Sequence, residues 1–99
     1  MRFIELDAKA FKAEMELNKD SYLLDIREEY EYEDSNIGGQ NIPMGQVLSN
    51  LKGFEDKSDI YVICKSGKRS SAIAYHLSNK LNDCNIYFCK GGIEAYCEI

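Results

Sequence analysis

The densest chemistry in this 99-residue chain lies in seven consecutive residues, Cys64-Lys65-Ser66-Gly67-Lys68-Arg69-Ser70. A thiol is followed there by three cations, two hydroxyls and a glycine. The reactive form of cysteine is the thiolate. It is favoured by nearby positive charge, by a helix N-terminus and by backbone N–H groups turned inward. Thiols in such settings ionise at roughly pH 3.5–7.5 rather than about 8.5. The spacing therefore predicts Cys64 as a thiolate nucleophile at neutral pH, with Gly67 letting the loop turn its amides inward. No histidine base is needed, and the only histidine, His76, falls well down the following helix and reads as partly buried. Lys65 and Lys68 either attract an anionic substrate or are two solvated lysines. Arg69 closes the loop, where it can donate to the ring and anchor the first helical turn. The competing reading makes Cys64 a small inert hydrophobe capping a strand, which the polar, cationic residues after it disfavour. A nucleophile here requires a thiol open to solvent and amides that point at it.

The flanking elements place that loop. Ile60-Tyr61-Val62-Ile63 is continuously apolar and mostly β-branched, the pattern of a strand covered on both faces. Arg69 to Leu81 reads as a helix with Ile73, Leu77 and Leu81 in one row. Cys64 thus sits at the carboxyl end of a strand, where open parallel sheets bind ligands. Further elements are a helix over 8–17 capped by Asp7, a strand over Tyr22–Ile26, a solvated loop or single helical turn over Arg27–Asn36, and a turn at Ile37-Gly38-Gly39. Asn41-Ile42 is extended before Pro43. A helix over Met44–Leu51 has Gly53 as its C-cap, a strand covers Ile86–Cys89, Gly91-Gly92 turns, and a last helix covers Ile93–Glu98. Alternating strands and helices imply an α/β fold: a mainly parallel central sheet with helices on both faces, a three-layer sandwich in one domain over 1–99. Asp25 and Arg27 end the strand beside the loop. Both can face the pocket, and an ion pair bracing the active loop is their expected role.

Composition narrows the partners. Net charge is −5, and eleven of the 17 acidic residues precede position 35. Such a chain is poorly suited to nucleic acid or anionic membrane. From 60 to 82 there is no acidic residue, yet Lys65, Lys68, Arg69 and Lys80 fall there, so the local charge suits a small anion. No apolar run reaches the roughly 18 residues of a membrane span. Residues 1–7 are mixed and charged, unlike a secretory signal. The four cysteines, Cys64, Cys84, Cys89 and Cys97, form no Cys-x-x-Cys pair. They read as free thiols in a reducing cytoplasm, with no metal site and no cofactor.

The Cys64–Ser70 loop resembles the active-site loop of the rhodanese family, Cys-x-x-Gly-x-Arg with a following Ser. Leu24-Asp25-Ile26-Arg27 is similar to that family's strand ending in Asp-x-Arg, and Glu31-Tyr32 falls at its Glu and aromatic. Ile37, Gly39, Asn41, Ile42 and Pro43 resemble its Ile/Gly/Asn-Ile-Pro turn, and Gly91-Gly92-Ile93-x-Ala95-Tyr96 its closing segment. Asn36, Gln40 and Tyr96 depart from the usual His, Ala and Trp. The resemblance implies a rhodanese-like fold and a double displacement. Cys64 takes the outer sulfur of thiosulfate or another small anionic donor, carries it as a persulfide, and passes it to cyanide or a thiol acceptor, which can be a protein. Lys65, Ser66, Gly67, Lys68, Arg69 and Ser70 would bind the substrate, with Ser66 and Ser70 donating to the persulfide or capping the helix. Four residues separate Cys64 from Arg69. The related phosphatases and arsenate reductases have one more and a wider ring, so the loop length favours sulfur. A carrier module in a sulfur relay is the alternative.

Overall fold

Ile60, Tyr61, Val62 and Ile63 are all buried and form the middle of the sheet. Side chains alternate across a strand, so Ile60 and Val62 face one layer while Tyr61 and Ile63 face the other. The computed structural model describes residues 3–99. In chain order its elements are β1 (Phe3–Leu6), α1 (Ala8–Leu17), β2 (Ser21–Asp25), α2 (Glu29–Asp34), β3 (Gln40–Asn41), α3 (Met44–Val47), a 3-10 segment (Leu48–Phe54), β4 (Asp59–Ile63), α4 (Lys68–Lys80), β5 (Asn85–Cys89) and α5 (Gly92–Tyr96). The five strands are ordered β1-β5-β4-β2-β3, and every pairing is parallel.

Two apolar layers sandwich this sheet. On one face α4 buries Ile73, Ala74 and Leu77 with Val47 of α3 against Leu24, Ile60, Val62 and Ile86. On the other, Phe11 of α1 is fully buried and meets Tyr61 and Tyr96 edge-on, with ring centroids 5.5 and 6.3 Å apart. Asp7 begins α1 as expected: its carboxylate accepts the Ala10 N–H at 2.8 Å. The α/β three-layer architecture is the one the alternating pattern implied.

Several local expectations are corrected. The sequence reading assigned no element before Asp7, yet β1 pairs with β5 from Phe3↔Ile86 to Leu6↔Cys89. As an edge strand with Ile4 and Glu5 exposed, it lacks a clear alternating pattern. The helix expected over Met44–Leu51 stops at Val47 and tightens into a 3-10 segment broken at Asn50 (φ −115°, ψ 26°). Gly53 lies inside that segment without a positive φ, so it is not a left-handed C-cap. Residues 29–34 form a helix, and His76 is exposed rather than partly buried.

Candidate active site

The strand–loop–helix around Cys64 is built as the sequence suggests. β4 ends at Ile63, and Gly67, at φ 97°, turns the chain into α4. A Cβ at Gly67 would lie 3.1 Å from both the Cys89 carbonyl oxygen and the Gly91 nitrogen. Glycine thus serves there both the left-handed backbone and a close approach. The turn aims main-chain hydrogens at the sulfur: Gly67 N–H and Ser70 N–H donate to Cys64 Sγ at 3.1 and 3.3 Å. The thiol donates to Ser70 Oγ at 3.3 Å, and the Ser70 hydroxyl donates to the Gly67 carbonyl at 3.1 Å.

The back of the loop is held as firmly. Ile93 N–H donates to the Cys64 carbonyl at 2.8 Å, and Glu94 N–H to the Lys65 carbonyl at 3.2 Å. The sequence marked Gly91-Gly92 as a turn within a segment resembling the family's closing motif, and gave no sign of these two contacts.

One requirement of the nucleophile reading is not met. Cys64 is 0% exposed and belongs to the core cluster beneath α4, so its thiol is not open to solvent. Lys65, Ser66 and Lys68 are exposed around it, Gly67 and Arg69 are half-buried, and Ser70 is buried.

The other cysteines differ from Cys64 in their surroundings. Cys84 Sγ points at the Asn85 carbonyl (3.6 Å), and Cys89 Sγ at those of Lys90 (3.7 Å) and Gly92 (3.6 Å). Burial pushes each thiol up to about 11. Cys89 packs with Phe11 and Ile63, on the opposite side of the sheet from Cys64. Cys97 is exposed, and all four thiols are free.

Arg69 donates not to the ring, as the sequence reading allowed, but to Glu31. Its Nη1 pairs with Glu31 Oε1 at 3.3 Å, tying the start of α4 to α2. The Glu28 backbone N–H and the Arg69 guanidinium hold the Glu31 carboxyl below its ordinary range, against an opposing effect of burial. Glu31 was noted only as part of a resemblance, and its partner, 38 residues away, left no local sequence signal.

Asp25 and Arg27 form the expected ion pair, fully buried, with Arg27 Nη2 2.9 Å from Asp25 Oδ2. The pair braces a different element from the one expected. Arg27 also donates to the carbonyls of Glu31 (3.3 Å) and Ser35 (2.7 Å), so it secures α2 rather than the Cys64 loop. Asn41 joins the assembly by donating to the carbonyls of Asp25 and Arg27 at 3.1 and 2.9 Å.

The two loop lysines part company. Lys65 borders a cleft of about 550 Å³ between α2 and α5, walled by Tyr30, Glu31, Asp34 and Glu94. Lys68 borders a smaller recess of about 260 Å³ with Ser66, Ser71 and Lys90. A cysteine whose sulfur accepts two amides at the carboxyl end of a central parallel strand defines the class: an open α/β domain with a cysteine-headed strand-to-helix loop.

Comparison with known proteins gives the family. The rhodanese-like domain profile matches residues 7–99, and the chain belongs to that family. Over 71 residues it is 37% identical to the "Putative sulfur carrier protein YrkF" of Bacillus subtilis (strain 168), covering 71% of this chain and 38% of YrkF. The "Putative sulfurtransferase YtwF" of the same organism is 27% identical over 81 residues, covering 81% of this chain and 79% of YtwF. The chain therefore spans well under half of YrkF. Among solved structures, a rhodanese-related protein from Thermoplasma volcanium superposes with a TM-score of 0.76 at 28% identity, covering 97% of this chain and 92% of its own.

Proposed function

We propose that the chain is a sulfurtransferase domain, acting as one unit over residues 1–99 and using Cys64 as its sulfur-carrying nucleophile. The observation that carries this reading is the pair of amides on Cys64 Sγ. A buried sulfur that accepts two N–H bonds is suited to negative charge, whereas thiols set against carbonyls, as at Cys84 and Cys89, are suited to stay neutral. Burial alone would fit an inert cysteine, and these amides distinguish Cys64 from the chain's two other buried thiols.

The Cys64 thiolate attacks the outer sulfur of a sulfane donor such as thiosulfate. The new S–S bond forms as the donor's S–S bond breaks, and sulfite leaves with the bonding pair. The Cys64 persulfide then carries one negative charge on its terminal sulfur, held by the loop amides. With the thiol proton gone, the Ser70 hydroxyl is free to turn toward sulfur. A second nucleophile, cyanide or a thiolate, takes the terminal sulfur and releases the Cys64 thiolate. Two easier displacements replace one hard transfer. Because Cys64 is fully buried, loading requires the loop to open far enough for a donor to reach the sulfur. The setting that goes with this reading is a reducing cytoplasm, where thiols stay reduced.

A second reading, a carrier that receives and hands on sulfur without turning over free thiosulfate, is favoured by the closed thiol and by the name of the YrkF relative. The acidic cleft beside Lys65 suits a protein acceptor better than a second small anion.

Intact mass after incubation with thiosulfate, or with a persulfide donor, tests both. The expected result is a gain of one sulfur, removed by cyanide and absent in Cys64→Ser. No adduct from any sulfane donor, together with hydrolysis of an aryl phosphate, would replace the reading with a phosphatase. Adduct formation without steady-state thiosulfate turnover would select the carrier.

A further inference from the structure

The seat beneath the sulfur loop is made entirely of backbone. A Cβ at Gly92, which has φ +63°, would lie 2.5 Å from both the Cys64 and the Lys65 carbonyl oxygens. From above, a Cβ at Gly67 would meet Gly91 N at 3.1 Å and Gly92 N at 3.4 Å. Loop and turn therefore touch with no side chain between them. Across this contact Ile93 N–H and Glu94 N–H donate to the Cys64 and Lys65 carbonyls.

A peptide group is planar, with its C=O and N–H pointing in opposite directions. Fixing the Cys64 and Lys65 carbonyls toward α5 fixes the Lys65 and Ser66 peptide planes. Those planes set the path by which Gly67 N–H and Ser70 N–H come to face the sulfur. We propose that Gly92, Ile93 and Glu94 are the positioning residues of the sulfur site, acting through main-chain contacts that aim the loop's amides at Cys64 Sγ. The consequence for sulfur transfer rests on the function proposed above, while the consequence for the thiolate does not.

Two variants test it. Gly92→Ala places a methyl group against both carbonyls. Glu94→Pro removes the N–H that reaches Lys65, in the first turn of α5, and also loosens Ile93, the residue before it, whose N–H reaches Cys64. Gly45→Ala, in open space on α3, serves as the control. The readouts are the ultraviolet absorbance of the thiolate across pH, taken as the difference from Cys64→Ser in each background, and sulfur uptake from thiosulfate by intact mass. Circular dichroism and thermal melts establish that each variant is folded.

The expected result is that both variants lose most of the Cys64 thiolate signal at neutral pH. The uptake rate falls about tenfold, the size expected for one hydrogen bond to a charged group. The control should match the parent. If Gly92→Ala fails to fold, Glu94→Pro carries the test alone. A folded Gly92→Ala or Glu94→Pro with the parent's thiolate signal overturns the proposal, as does a parent with no Cys64 thiolate signal near neutrality. A parent that takes no sulfur but loses its thiolate signal on Gly92→Ala would sink the sulfurtransferase reading while supporting the positioning role.

Discussion

Asp25 and Arg27 show how much one buried pair can organise. Removing both charges from water is costly, and attraction repays that cost only when the remaining hydrogen-bonding positions are filled. Here they are filled: the Arg27 backbone N–H and guanidinium both reach Asp25, and the guanidinium's other hydrogens reach the carbonyls of Glu31 and Ser35. Asp25→Ala would leave a buried guanidinium without its counter-charge, and a loss of about 3–5 kcal/mol is expected. Urea unfolding measures it, and a loss below about 1 kcal/mol would mean that water reaches the guanidinium. Arg27 also shows where sequence reading stopped. Its two-residue spacing from Asp25 on a strand end suggested the ion pair, but the carbonyls it serves belong to a helix not yet placed.

Among the helices, α2 stands apart because it buries no residue. Its sequence, Glu-Tyr-Glu-Tyr-Glu-Asp, has no apolar stripe, which is why it read as a loop or a single turn. Polar attachments replace the missing core: a capping box between Glu28 and Glu31, Tyr32 Oη donating to the Gly39 carbonyl at 2.9 Å, Arg27 beneath, and Arg69 opposite. Glu31→Gln tests the last of these. The pair is partly exposed, so its loss should cost no more than about 1 kcal/mol. The pH dependence is more telling. The Glu31 carboxyl ionises below its ordinary 4.5 when folded, so its contribution is complete above that value and is lost as pH falls through the depressed folded value. Parent and Glu31→Gln stabilities should therefore converge as pH falls below the depressed folded value, and a gap that persists in acid would assign the difference to packing. The strongly apolar elements, β4 and α4, were legible to within one residue of their starts, and so was the cysteine loop between them. Of the rest, β1 was missed because its form depends on pairing with the distant β5, the break into a 3-10 segment left no periodic signal, and α2, legible only as a loop or a single turn, is longer than that because polar attachments hold it.

Taken whole, the molecule carries many groups that resist ionisation. Burial raises the thiols of Cys84 and Cys89 from 9.0 to about 11 and the Tyr87 phenol from 10.0 to about 12. The phenols of Tyr22, Tyr61 and Tyr96 are raised by the same cause. Each ionises later in the folded chain than in the unfolded one. Its contribution is intact below the unfolded value and is lost as pH rises toward the folded one. Melting temperature should accordingly hold up to about pH 9 and fall steeply above it, and Tyr87→Phe should fall less. A melting temperature unchanged at about pH 11 would contradict the burial of these groups.

The pairing of β1 with β5 has a bearing on biosynthesis. β1 is made before the Cys64 loop, and its partner β5 after it. The α5 turn that seats the Cys64 loop follows later still. Contacts between segments so far apart in sequence form slowly and late. During translation the nascent polypeptide thus holds its cysteine for some time before the cradle exists, and the thiol acquires its special environment only once α5 has been made.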